Sequence, residues 1–245
     1  MDHSLIAIIT VTFALAGFVK GVTGMGLPTV AMGVLGALIS PVMAASLLLV
    51  PSFVTNVWQL LTGRNPASLY LRFWPMMLAI FVTTILASSF LSTGHEWTRM
   101  ALGVVLILYA LFTLVAPQLH IPSDAETLLG PLTGMVTGMI TGATGVFVIP
   151  AVPYLQSLGL AKDDLVQALG LSFTVSTIAL AIGLTGSGAF LPDALWVSVL
   201  AVIPALIGMW GGQRMRNRIS PQTFRKAFLI CLLLLGCELA LRPLL

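Results

Sequence analysis

The residues best placed to do chemistry are a lysine and several threonines set among glycines. Lys20 lies in Gly-Phe-Val-Lys-Gly-Val-Thr-Gly, Gly17 to Gly24, and a second octapeptide, Gly-Met-Ile-Thr-Gly-Ala-Thr-Gly, runs from Gly138 to Gly145. The copies start 121 residues apart in a chain of 245, and each is followed by a proline, Pro28 and Pro150. Glycines at three- and four-residue spacing let a helix unwind and let a ligand approach the main chain. Amides freed at a half-helix N-terminus attract negative charge, and a lysine beside them supplies a counter-charge. The chemistry this pattern serves is the binding of a small anion.

The candidate binding residues follow from the two copies and the helices after them. The first copy offers Lys20, Gly21, Thr23, Gly24 and Gly26, and the second offers Thr141, Gly142, Thr144 and Gly145. Thr55 and Asn56 follow the first, and Ser172, Thr174, Ser176 and Thr177 follow the second, as further hydroxyl and amide donors. Each has a plainer alternative. Gly17, Gly21, Gly134 and Gly138 suit a close-packing surface between helices. Serine and threonine commonly bond back to their own helix carbonyls, and Lys20 can snorkel to an interface if the break is shallow. The second copy has Thr141 where the first has Lys20, so the copies would not bind charge equally.

The elements that position these residues are set by composition. With 58% hydrophobic and 8% charged residues and a mean hydropathy of +1.06, the chain is far from a globular average of about 25% charged. It reads as an all-α polytopic membrane protein. Apolar runs lie at 4–39, 41–62, 68–92, 98–116, 128–159, 164–186, 192–212 and 223–242, most of them close to the ~20 residues that cross the hydrocarbon as a helix. They do not alternate as barrel strands would. Ala14-Leu15-Ala16 resembles a signal-cleavage site, but Asp2 and His3 precede it with no Lys or Arg, so a first membrane helix is expected.

The duplication extends beyond the glycines. Residues 1–120, with the glycine motif at 17–28, and 121–245, with its motif at 138–150, read as two repeats forming one transmembrane domain. Phe53-Val54-Thr55-Asn56 matches Phe173 to Thr177, and Trp74-Pro75 matches Ile203-Pro204. The polar link from Pro117 to Glu126 separates them. Arg214, Arg216, Arg218, Arg225 and Lys226 cluster between the last two runs, which places that loop in the cytoplasm. In the first half the bias is mirrored, with Arg64 and Arg72 flanking the loop between the second and third runs and only Arg99, with Glu96 beside it, at the loop between the third and fourth. Inverted repeats would show this pattern, provided the first and fifth runs, each about half again as long as one span, are re-entrant hairpins with glycine tips. Eight simple spans with kinked first and fifth helices are the alternative. Both place the N- and C-termini outside; Ser123 is cytoplasmic in the hairpin arrangement and external in the other.

Other chemistries lack their residues. His3, His95 and His120 all lie at segment ends, and no HExxH, paired intramembrane Asp or thiol–histidine arrangement occurs, so an enzyme is not expected, nor is a metal or cofactor. Cys231 and Cys237, six residues apart on one helix, point to different faces and read as unpaired thiols. The net charge of +3 is a topology signal and not a nucleic-acid signature. Glu238 and Arg242, four apart, read as a helical ion pair, Asp163 and Asp164 as helix caps, and Pro28 and Pro150 as chain-bending residues.

Gly17, Gly21, Gly24, Gly26 and Pro28, their second set Gly138, Gly142, Gly145 and Pro150, and the apolar halves around them resemble the TauE/SafE family of membrane permeases. The likeness covers nearly the whole chain. It implies a multi-pass transporter of the cytoplasmic inner membrane for small anions, commonly sulfite or organosulfonates, acting as a secondary exporter by alternating access. A passive anion channel and a permease for a non-sulfur organic anion are the alternatives. The expected partners are the anion and the lipid bilayer; coupling to protons or sodium and a homo-oligomer are compatible with it.

Overall fold

The computed structural model describes residues 3–63, 66–93, 96–115, 120–216 and 220–242. Asp2, Arg64, His95, Pro117 and Arg218, named above, lie outside the described residues. Among the described residues the chain forms ten α-helices and no strand. They are α1 (His3–Thr23), α2 (Leu27–Leu38), α3 (Pro41–Leu61), α4 (Pro66–Ser92), α5 (Glu96–Val115), α6 (Ser123–Thr144), α7 (Ala151–Ser157), α8 (Lys162–Gly186), α9 (Pro192–Met215) and α10 (Pro221–Leu241). Six of these, α1, α3, α4, α5, α8 and α9, are long and apolar enough to cross a membrane. The protein is a multi-pass membrane protein.

Eight apolar runs become ten helices because the first and fifth are broken at their glycines. Gly24 and Gly26 take φ of +82° and +103°, and Gly145 takes +72°, a left-handed conformation that costs glycine nothing and other residues a Cβ clash. Pro28 then sits in the first turn of α2, where its missing N–H is no loss, and Pro150 precedes α7. The 12 residues of α2 rise only ~18 Å and the 7 of α7 only ~10 Å, both short of the ~30 Å hydrocarbon core.

Packing fixes the direction of each piece. Side chains added at Gly17 and Gly21 of α1 would run into Ala205 and Met209 of α9, one turn further along in both, so α1 and α9 are parallel. Gly134, Gly138 and Gly142 of α6 meet Met76, Ile80 and Thr84 of α4 in the same order, so α6 and α4 are parallel too. Asn56 and Leu60 of α3 meet Thr177 and Gln167 of α8, so those two are antiparallel.

The break after α1 lies toward the end of the bundle where Arg216 and Arg225 sit. The far end of α2 lies at the opposite end, where its Ala37 and Ile39 carbonyls accept from Arg242 and Arg99. The chain therefore enters with α1 and returns with α2 to the end it came from. Segment α6–α7 does the same from the arginine-rich end, because Ile121 N–H donates to the Ser157 carbonyl (3.1 Å) and Tyr154 OH donates to the Glu126 carbonyl (3.3 Å).

A proline inside α3 completes the scaffold. Pro51 has no N–H and displaces the carbonyl of Leu47 four residues back. Ser198 of α9 satisfies it: its hydroxyl donates to that carbonyl (2.8 Å) and also accepts from Val50 N–H (3.2 Å). A buried backbone group is thus satisfied by a neighbouring helix, as a membrane interior requires.

Candidate anion-binding site

Lys20 projects from the last turn of α1 and is 3% exposed. Its Nζ donates to Thr55 Oγ1 (3.2 Å) and to Asn56 Oδ1, both on α3. The hydroxyl and amide protons around it point elsewhere. Thr55 Oγ1 donates to the Pro51 carbonyl (2.8 Å), Asn56 Nδ2 to Thr177 Oγ1 (3.4 Å), and Thr177 Oγ1 to the Phe173 carbonyl (2.7 Å). Lys20 therefore meets acceptors only, using two of the three donors of an ammonium, and among the described residues no carboxylate pairs with it. A buried charge without a counter-ion is expensive. An anion would supply the missing partner.

Asn56 and Thr177, which bond to each other, are also 121 residues apart, so the repeat offset of the sequence meets itself at the α3–α8 crossing. Around that crossing are buried hydroxyls with no hydrogen-bond partner: Ser52 on α3, and Ser172 and Ser176 one turn apart on α8. Thr29, in the first turn of α2, is another. No side chain caps that turn.

The other sequence candidates have structural work of their own. Gly21 and Gly142 lie against the backbones of α9 and α4, which is the close-packing role. Thr23 and Thr144 close the ends of α1 and α6 by one device: each hydroxyl donates to the carbonyl four residues back, Val19 (2.9 Å) and Ile140 (2.7 Å). Each also accepts from the amide two residues on, Met25 and Val146. Thr141 donates to the Val146 carbonyl (3.2 Å), and Thr174 to that of Gly170 (2.7 Å). Gly24, Gly26 and Gly145 shape the breaks. The structure thus brings Lys20, Thr55 and Asn56 together, with Thr177 behind them.

One expectation is corrected. Asp163 and Asp164 do not cap α8: Ala161 holds the cap position without a side-chain bond, and the two acids lie in the first turn, where they favour the positive helix end. Glu238 and Arg242 do form their pair, at 3.6 Å, and Cys231 and Cys237 are free thiols.

Sequence reasoning passed over two glutamines. Gln59 Nε2 donates to the Gly24 carbonyl in the first break (3.1 Å) and to the Val166 carbonyl of α8 (2.8 Å), and Gln167 Nε2 donates back to the Leu60 carbonyl of α3 (2.7 Å). The available signal is an amide a few residues inside the end of each of two apolar runs, 41–62 and 164–186. Among the described residues no group of three His, Cys, Asp or Glu could hold a metal.

The structure is thus a multi-pass helical bundle with two broken segments and a buried lysine beside the first break. The chain belongs to the sulfite exporter TauE/SafE family, whose profile matches residues 9–239. Comparison with curated proteins and with solved structures gave no match.

Proposed function

We propose that the protein is a secondary carrier that exports a small sulfur-containing anion, such as sulfite or an organosulfonate, across the cytoplasmic membrane, binding it where the two helix breaks face the α3–α8 crossing. The observation that carries this reading is Lys20: buried, surrounded by acceptors and without a carboxylate. The break amides and the unpartnered hydroxyls of Ser52, Ser172 and Ser176 would complete the anion's coordination.

The halves 1–120 and 121–245 act in this reading as inverted repeats, each starting with a re-entrant hairpin. The exchange of partners supports a two-fold relation, since the first helix of each half packs on the fourth helix of the other, α1 on α9 and α6 on α4, and the return of the two hairpins to opposite ends supports its inversion. Rocking one half against the other would expose the site to each side in turn, with a proton or sodium gradient as the driving force. The N- and C-termini then lie outside and the arginine-rich end in the cytoplasm.

The test is reconstitution into vesicles and comparison of sulfite, sulfoacetate, thiosulfate and a carboxylate control. Accumulation against a gradient is expected for the sulfur anions, whereas flux that only dissipates a gradient would make the protein a channel. Lys20→Met should abolish transport in a folded protein; unaltered transport would remove Lys20 from the site.

A further inference from the structure

Between the first break and the arginine-rich end opens a cavity of about 290 Å³, to which Lys162, Arg216 and Arg225 contribute. No Asp or Glu is among its lining residues. None of these three side chains holds a hydrogen bond, ion pair or ring contact among the described residues, whereas each of the other described arginines has one of these. Arg72 is held by Glu126 at 2.7 Å and Arg214 lies over the Trp210 ring at 3.9 Å. At the opposite end of the bundle, Arg99 donates to the Ile39 carbonyl (2.7 Å) and Arg242 to that of Ala37 (3.1 Å). Unengaged positive charge is therefore gathered at one end, around one cavity.

Besides Tyr109 and the polar Gln156, the rest of the lining is of two kinds. Thr23 and Met25 belong to the first break itself, which makes the cavity continuous with the element that carries Lys20. Val22, Met25, Phe228 and Leu229 make much of the remaining surface apolar. A bare inorganic oxyanion would satisfy the cations and leave that apolar surface wet. An acid group on a short apolar body would satisfy both.

We infer that this cavity is a capture site for a small organic anion, holding its acid group at Lys162, Arg216 and Arg225 and its apolar body against Met25 and Phe228, before the anion reaches Lys20. The inference rests on the carrier reading and narrows its substrate class to organic anions. Charge that gathers substrate acts on encounter and is screened by salt, whereas charge at the binding centre acts on turnover.

The experiment is uptake by the full-length protein in vesicles, from the face bearing the arginine-rich end, with ethanesulfonate, propionate and sulfite as substrates. Replacing Lys162, Arg216 and Arg225 together by Gln should raise the KM for ethanesulfonate roughly tenfold at low salt, with kcat within about twofold, and the difference should shrink at high salt. Arg216→Lys with Arg225→Lys, which keeps the charge, should hold the KM near its original value and controls for folding. Phe228→Ala should raise the KM for ethanesulfonate and leave that for sulfite in place. Propionate separates the acid groups: a KM matching that of ethanesulfonate means the site reads charge and apolar body alone, consistent with the inference. An unchanged KM in the triple Gln variant overturns it, as does a sulfite KM as low as that of ethanesulfonate. If transport is lost in Lys20→Met while the triple variant behaves as wild type, the capture site falls and the carrier reading stands. If the wild type moves none of the three, the carrier reading itself falls.

Discussion

Asn56 is the residue on which the buried charge turns. Its Oδ1 accepts from Lys20 and its Nδ2 reaches Thr177 (3.4 Å), so it holds the ammonium at the α3–α8 crossing without neutralising it. Asn56→Asp would place a carboxylate against Lys20 and compete with the anion. A charged hydrogen bond contributes about 1.5–3 kcal/mol, so the apparent substrate affinity should drop roughly tenfold to hundredfold, with thermal stability kept or raised. Uptake kinetics and a melting curve in detergent check this, and wild-type transport would mean that Lys20 is not the anion's partner. Ser198 makes a different kind of prediction. Ser198→Ala would orphan the Leu47 carbonyl left without a donor by Pro51, at a cost of about 1–3 kcal/mol, seen as a lower melting temperature. Lys20, Thr55 and Asn56 were legible because charge and amides are rare in apolar runs. Ser198 was not, because its partners lie 148 and 151 residues away in sequence and spacing carries no record of them.

At the scale of the element, the two glycine stretches do two jobs that sequence alone left mixed. Helical glycines such as Gly17, Gly21, Gly138 and Gly142 admit a neighbouring helix, whereas Gly24, Gly26 and Gly145 turn the chain through positive φ. The contrast is testable with one substitution at two places. Gly21→Val meets the backbone of α9 and should destabilise the fold by at least about 1–3 kcal/mol, whereas Gly186→Val has no neighbour within 4 Å and should leave melting unchanged. Equal melting shifts would show that α1 and α9 do not pack as described. The breaks themselves were legible, since glycines followed by proline leave a helix little alternative. That α7 would be only 7 residues long was not, because Val146, Phe147 and Val148 read as helix yet are fully buried in the loop before it.

For the whole molecule, the decisive feature is that both broken segments leave and return at the same end, one from each end of the bundle. In the inverted-repeat reading this puts Ser123 on the cytoplasmic side. With Cys231 and Cys237 replaced, Ser123→Cys should react with a membrane-impermeant thiol reagent only after the cells are opened. Reaction in intact cells would overturn the inverted arrangement. The mirrored loop charges favour this arrangement, as do the ends to which the hairpins return: α2 runs back to Arg99 and Arg242, and α7 runs back to the end where Gln156 lies with Lys162 and Arg216. A last consequence follows from Arg99 and Arg242, which grip the carbonyls at the end of α2 farthest from its break. They come from α5 and the end of α10, which pack on each other, so the returning arm of the first hairpin is moored at its foot to that pair. In the carrier reading, a swing of the arm about this mooring would be greatest at its glycines, beside the turn of α1 that carries Lys20.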